Sequence, residues 1–373
     1  MSYRDIIQRT WNENHLFSVL LELTYRCNLD CAYCYNDIDA PGVPLSTEDY
    51  LRLLEDLADL QVMNLALSGG EPLAHPDFFL LGSRARALGF AIRVKSNGHA
   101  LRRNLAQRLK QEVDPFIVEV SIHGATAAIH DRQTRTDGSF TRLMANLQEC
   151  LALGLRLKLH CTLTAWNEHE LDAMYALADG LSVPLQVDSR VTPRDNGDRS
   201  PLAMTASPQG LALHFRLQEE RLTAKAGRGD RQHPKADGTG RPATPRADPN
   251  TRTPDQAIAG SSKQCGAGSS TVAVDPYGNV YPCVQWRRPL GNLHRQTVKE
   301  IWNGGSRLDD IRALTIEAKR LVDGFGSKGG ELDFCPGLAE LNTGDPLLVY
   351  PEMRRYALLN SKGLHSEPQP PRP

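Results

Sequence analysis

No signal peptide opens this sequence: MSYRDIIQRTWNENH is polar and lacks the long apolar core that export requires. Nowhere does the chain sustain the ~20 uninterrupted apolar residues of a membrane helix. An excess of either charge is missing too. With 43 Lys and Arg against 44 Asp and Glu, nothing global points to nucleic acid or an anionic membrane as partner. These absences make a cytoplasmic location the expectation. What is present is ordinary for a globular protein, with 40% apolar and 23% charged residues in 373 positions. That length suffices for one large α/β domain and a smaller one.

Eight cysteines in such a chain are not expected to form a disulfide framework, because the cytosol keeps thiols reduced. Their placement is uneven. Cys27, Cys31 and Cys34 cluster near the start, and Cys265, Cys283 and Cys335 lie near the end. Cys150 and Cys161 fall inside a helical and a strand-like pattern and read as buried core thiols. Two cysteine-rich ends imply two metal sites.

From residue 17 to about 190, short apolar runs alternate with helical patterns. FSVLLEL, VMNLALS, FAIRVKS, FIVEVSI, LRLKLHCTL and LSVPLQVD read as strands with little polar alternation, which predicts cover on both faces. STEDYLRLLEDLADL, HPDFFLLGSRARALG, LRRNLAQRLK, FTRLMANLQECLALG and NEHELDAMYALADG read as helices. Ser46 or Thr47 is the expected cap of the first, and Gly89, Gly154 and Gly180 the expected helix ends. Alternation of this kind implies a parallel sheet, open or closed into a partial barrel. Function then belongs at the C-terminal strand ends, where the cysteine loop, SGGEP, SNG, SIHG and TLTAWN follow one another.

The segment CNLDCAYC spaces its cysteines C-x3-C-x2-C. Three thiolates can bind zinc with a fourth ligand, or an iron–sulfur cluster with one iron uncovered. Coming after a first strand, CNLDCAYC resembles the signature of the radical S-adenosylmethionine (SAM) superfamily. That resemblance implies a 4Fe–4S cluster on Cys27, Cys31 and Cys34. Its fourth iron would bind SAM, whose reductive cleavage yields a 5′-deoxyadenosyl radical. It also implies SAM contacts from Tyr33, from Gly69, Gly70 and Glu71 of the GGEP motif, and from Ser96 and Asn97. Further contacts fall to Ser121 and Thr164, with Asn167 beside it. In HDRQTRTDGSF, Arg135 takes the role of binding the methionine carboxylate, with Arg132 as competitor. His123 and His130 read as structural.

The segment from Cys265 through GNL and the EIW helix resembles the SPASM/twitch region of the same superfamily. A full SPASM domain supplies about seven cysteines. Here Cys265, Cys283 and Cys335 would hold one auxiliary iron–sulfur cluster, taken as 4Fe–4S, with Asp275, Asp333 or substrate completing it. The expected fold is thus α/β, a partial (β/α)6 TIM-like barrel with a C-terminal twitch/SPASM-like auxiliary cluster domain. Its expected divisions are an N-terminal arm (1–14), the barrel (15–200), a helix plus Gly/Pro-rich linker (201–262), the cluster domain (263–345) and a tail (346–373).

The implied activity is hydrogen abstraction from a substrate, with a ribosomally made peptide first in order. A small molecule, as in aminoglycoside dehydrogenases or molybdenum-cofactor cyclases, is the alternative. A non-catalytic iron–sulfur or zinc scaffold is a third reading. Expected partners are the substrate and an electron donor such as flavodoxin or ferredoxin, with no nucleic acid and no membrane. Because the first strand begins near residue 17, leader binding is expected of a separate protein. The charged stretch Asp188, Arg190, Arg194, Asp195 and Asp198 would either meet substrate or pair within itself.

Overall fold

The computed structural model describes residues 3–229, 262–325 and 334–350. Six parallel strands, β1 (Ser18–Thr24), β2 (Asn64–Gly69), β3 (Ala91–Ser96), β4 (Ile117–Ser121), β5 (Leu157–Thr162) and β6 (Leu185–Asp188), pair in chain order. Three more, β7 (Thr271–Val274), β8 (Asn279–Tyr281) and β9 (Gly291–Asn292), form a meander. β7 lies parallel to the free side of β1, so one nine-stranded sheet runs β6-β5-β4-β3-β2-β1-β7-β8-β9. The α/β fold with a parallel sheet and an appended C-terminal unit is therefore as the sequence implies.

The helices are α1 (Tyr3–Glu13), α2 (Thr47–Asp59), α3 (Phe78–Ala87), α4 (Arg103–Arg108), α5 (Ala127–Thr134), α6 (Ser139–Ala152), α7 (Leu171–Gly180) and α8 (Pro208–Gly229). After β9 come α9 (Val298–Gly304), α10 (Ser306–Gly324) and α11 (Pro336–Thr343). Ser46 caps α2 in a reciprocal capping box with Asp49. Gly89 and Gly154 take the left-handed turns after α3 and α6, but Gly180 does not; Ser182, at φ 55°, turns the chain after α7. Most of the expected linker, and the tail beyond Tyr350, lie outside the described residues.

One expectation about faces needs correction. The strands are not apolar on both sides. Val19, Leu21, Val94, Val118, Val120 and Leu159 join the buried core. Alternate residues Arg93, Lys95, Glu119, Lys158, His160 and Asp188 instead line an interior cavity. The period-two pattern is plain in AIRVKS, and the inner face is polar because it borders a cavity rather than another layer.

The N-terminal arm carries a helix. In α1, Ile7 and Trp11 stand one helical turn apart and are buried, and Lys263 Nζ donates to Trp11 O at 2.6 Å and Asn14 Oδ1 at 2.5 Å. The C-terminal unit thereby grips α1 and the short connection to β1.

Candidate active site

The cysteine loop leaves β1 at the C-terminal rim of the sheet. None of the eight cysteines is joined in a disulfide. Burial pushes the Cys31 thiol up, and the neighbouring Cys34 and Cys27 push it further. All three cysteines border one cavity. Among the described residues, however, no three His, Cys, Asp or Glu side chains converge tightly enough to grip a single metal ion. Three thiolates from one loop suit an iron–sulfur cluster, in which each would take its own iron. Two N–H groups already point at Cys27 Sγ, Leu29 N at 3.5 Å and Asn97 Nδ2 at 3.6 Å.

Gly69 and Gly70 press against that loop. A Cβ on Gly70 would lie 2.5 Å from Arg26 O, and one on Gly69 only 2.3 Å from Thr24 O, where φ is 124° as well. Only glycine lets β2 end so close to the cysteine loop. Glu71 N donates to Arg26 O, while its buried carboxylate turns toward β3 and accepts from Ser96 Oγ and Asn97 N. Burial lifts this carboxyl to about 7 against those donors. Glu71 and Ser96 thus tie the rim together, and Asn97 faces the cavity.

Tyr33, Gly69, Gly70, Ser96, Asn97 and Ser121 all border a cavity of about 1480 Å³. The Tyr33 hydroxyl lies 2.8 Å from the His123 imidazole, which burial, then His130 and His160, holds well below the usual histidine range. His130 is buried, accepting from His123 N and contacting Ser139 Oγ at 3.1 Å. Thr164 and Arg135 are not on this wall. Thr164 is buried in a turn with Asn167, whose Oδ1 accepts from Thr164 N at 2.7 Å. Arg135 ends α5 at φ 51° and pairs with Asp30 at 3.1 Å, beside a separate surface hollow. Arg132 stacks on Trp166 at 4.2 Å.

At the other end, Gln264 Nε2 donates to Phe334 O at 3.3 Å, joining the residues that immediately precede Cys265 and Cys335. A Cβ on Gly337 in α11 would lie 2.7 Å from Trp286 Cβ, so this helix start abuts the turn that follows Cys283. Cys283 itself borders the cavity. Asp275 is fully engaged inside the β7–β8 turn, accepting from Tyr277 N, Asn279 N, Asn279 Nδ2 and Tyr281 Oη. Asp333 lies outside the described residues. Gln285 Oε1, 3.8 Å from Cys335 Sγ, is a neighbour that sequence reading did not single out.

The chain matches the family described as the radical SAM superfamily over residues 21–178, and an iron-sulfur cluster-binding SPASM domain over 265–322. It is 30% identical over 338 residues to mycofactocin maturase MftC of Mycobacterium tuberculosis, covering 87% of this chain and 79% of that one. The chain belongs to the radical SAM superfamily. As a radical SAM enzyme of the SPASM type it uses SAM, a 4Fe–4S cluster and auxiliary iron–sulfur chemistry. Pre-heme d1 synthase of Dinoroseobacter shibae is another relative, 28% identical over 357 residues, with 88% of this chain and 83% of that one covered. Among solved structures, Streptococcus suis SuiB bound to precursor peptide SuiA shares the fold, with TM-score 0.61, 12% identity and coverage of 83% and 70%. No helix among the described residues of this radical SAM enzyme is long and apolar enough to cross a membrane.

Between the two cysteine sites lies a charge cluster that sequence reading missed. Arg287 Nη1 and Nη2 each donate to Glu22 of β1 at 2.9 Å, and Arg287 Nε donates to Asp195 Oδ1 at 3.1 Å. Tyr25 and Tyr35 also donate to Glu22. Burial, then Glu22, lifts the Asp195 carboxyl to about 7, with Arg287 opposing. The rest of the charged loop after β6 pairs within itself, Arg190 with Asp188 and Arg194 with Asp198.

Proposed function

We propose that this radical SAM enzyme abstracts a hydrogen from a ribosomally made peptide, beginning its crosslinking, epimerisation or oxidation. The carrying observation is one continuous cavity of about 1480 Å³ bordered by both the Cys27–Cys34 loop and Cys283. Small-ligand sites usually run to ~300–1,000 Å³. Space beyond the cofactor suits a peptide segment, and the similarity to mycofactocin maturase supports the same reading.

Cys27, Cys31 and Cys34 would hold the cluster with three thiolates, and SAM would bind where no protein ligand is supplied. When bound, that cluster supplies the electron that cleaves SAM to the 5′-deoxyadenosyl radical. Leu29 N and Asn97 Nδ2 donate to Cys27 Sγ and steady its negative charge. Gly69 and Gly70 admit the cofactor close to the backbone. Tyr33, fixed by His123, offers its ring to the nucleoside, and Asn97 and Ser121 offer polar contacts. Cys265, Cys283 and Cys335 would hold the auxiliary cluster, with Cys283 on the cavity wall. A flavodoxin- or ferredoxin-type donor and a separate leader-binding protein complete the proposed system.

The test is anaerobic turnover with dithionite, SAM and candidate precursor peptides drawn from any short reading frame encoded beside the gene. A mass change on the peptide, in step with 5′-deoxyadenosine, is expected. Deoxyadenosine driven only by a small molecule, with the peptide unchanged, overturns the reading. The similarity to pre-heme d1 synthase favours one such molecule, a heme precursor, as the second candidate.

A further inference from the structure

The barrel interior carries more positive charge than its own carboxylates answer. Lys95 Nζ lies 2.9 Å from Glu119 Oε2, Arg93 Nη1 lies 3.6 Å from Glu119 Oε1, and Lys158 Nζ lies 3.8 Å from the same oxygen. Three cations thus share one carboxylate, a local balance of three minus one, or two positive charges. Neighbouring groups do not correct it. Asp188 is already paired with Arg190, and burial pushes the His160 imidazole down to about 4, so it is neutral.

Lys158 is the telling member. Its side chain is only 8% exposed, yet its closest carboxylate oxygen stands beyond hydrogen-bond length, and the residue borders the cavity. Its ammonium has three donors, and the shared Glu119 carboxylate answers only part of that capacity. Lys95 precedes Asn97 by two residues, and Glu119 and Lys158 pair level with it on β4 and β5, so the two lysines lie roughly 7 Å below the rim that holds the cysteine loop, with Arg93 two residues deeper. A group anchored there would leave its adjoining atoms within reach of the reacting end of SAM.

We infer that Lys95, Lys158 and Arg93 form a carboxylate subsite in the barrel interior, so that the substrate of this enzyme carries a carboxylate close to its reacting atom. The inference rests on the reading that this cavity receives substrate. A polycation such as an aminoglycoside would meet like charge there, whereas an acidic side chain or a free C-terminus would supply the missing counter-charge.

Equilibrium binding to the reconstituted, SAM-loaded enzyme tests this with three probes: N-acetylglutamic acid α-amide, N-acetylalanine and the neutral N-acetylglutamine amide. At least one acid should bind tenfold more tightly than the neutral probe, and which acid does so separates a side-chain from a C-terminal source. Lys158→Gln and Lys95→Gln should each bring the acids to near parity with the neutral probe while leaving SAM affinity within twofold. Lys95 is 40% exposed, so its variant still serves if Lys158→Gln does not fold. Equal binding of acid and amide overturns the inference, as does no binding of any probe. Retention of the preference in both variants, or parallel weakening of SAM, does the same. A carboxylate preference in an enzyme that turns over no peptide would leave the subsite standing and overturn only the peptide reading.

Discussion

Arg287→Met removes a cation that two carboxylates depend on. Glu22 is 0% exposed and accepts two of its four strand-end hydrogen bonds from this guanidinium at 2.9 Å, the others coming from Tyr25 and Tyr35. Breaking a buried pair from one side leaves the other charge uncompensated, at a cost of about 3–5 kcal/mol. Asp195 adds little to this loss, since its carboxyl titrates near 7 even with Arg287 beside it and would turn neutral without it. Against a typical total of ~5–15 kcal/mol, the loss is severe. It should appear as a lower urea midpoint of the anaerobic holoenzyme. Adding Glu22→Gln should restore about 2 kcal/mol or more, because the double variant strands no charge. An Arg287→Met protein within ~1 kcal/mol of the parent, as an exposed pair would give, refutes the reasoning.

Gly70→Ala should weaken SAM binding at least tenfold and cost about 1–3 kcal/mol, because its Cβ would stand 2.5 Å from Arg26 O; titration of SAM against both proteins checks it. Glu119 gives a pH signature. Burial raises its carboxyl, but Lys95, Arg93 and Lys158 outweigh that and hold it at about 2 instead of 4.5. Its contribution of ~3 kcal/mol is therefore present above pH 4.5 and lost as pH falls toward 2. Glu119→Gln should be less stable than the parent at neutral pH, with the gap closing under acid; a pH-independent gap would contradict this. Cys335→Ser should lower iron from about eight to about four per chain, and unchanged iron would remove Cys335 from the auxiliary site.

The parts legible in the sequence were those whose residues sit together along it. CNLDCAYC and SGGEP are contiguous, and each falls at the end of a strand whose parallel neighbours were readable from apolar runs. The β7–β8 turn was legible from DPYG, whose Asp275 caps it. What stayed hidden depends on distance or direction. Arg287 meets Glu22 across 265 positions, and no local pattern announces that. Arg135 stands in a suggestive motif, but the left-handed turn that ends α5 swings it to Asp30. The inner charges were present as alternation in AIRVKS and LRLKLHCTL, yet the apolar residues between them dominated the reading. α1 shows too few apolar residues to stand out, and it is Trp11, held under Lys263, that fixes it.

The most direct measurement is 5′-deoxyadenosine yield and iron content in anaerobically reconstituted, dithionite-reduced protein, set beside a Cys27→Ala, Cys31→Ala, Cys34→Ala variant. The parent should hold about eight irons and form product, and the variant about four irons and no product. Equal iron and continued SAM cleavage in the variant would contradict this.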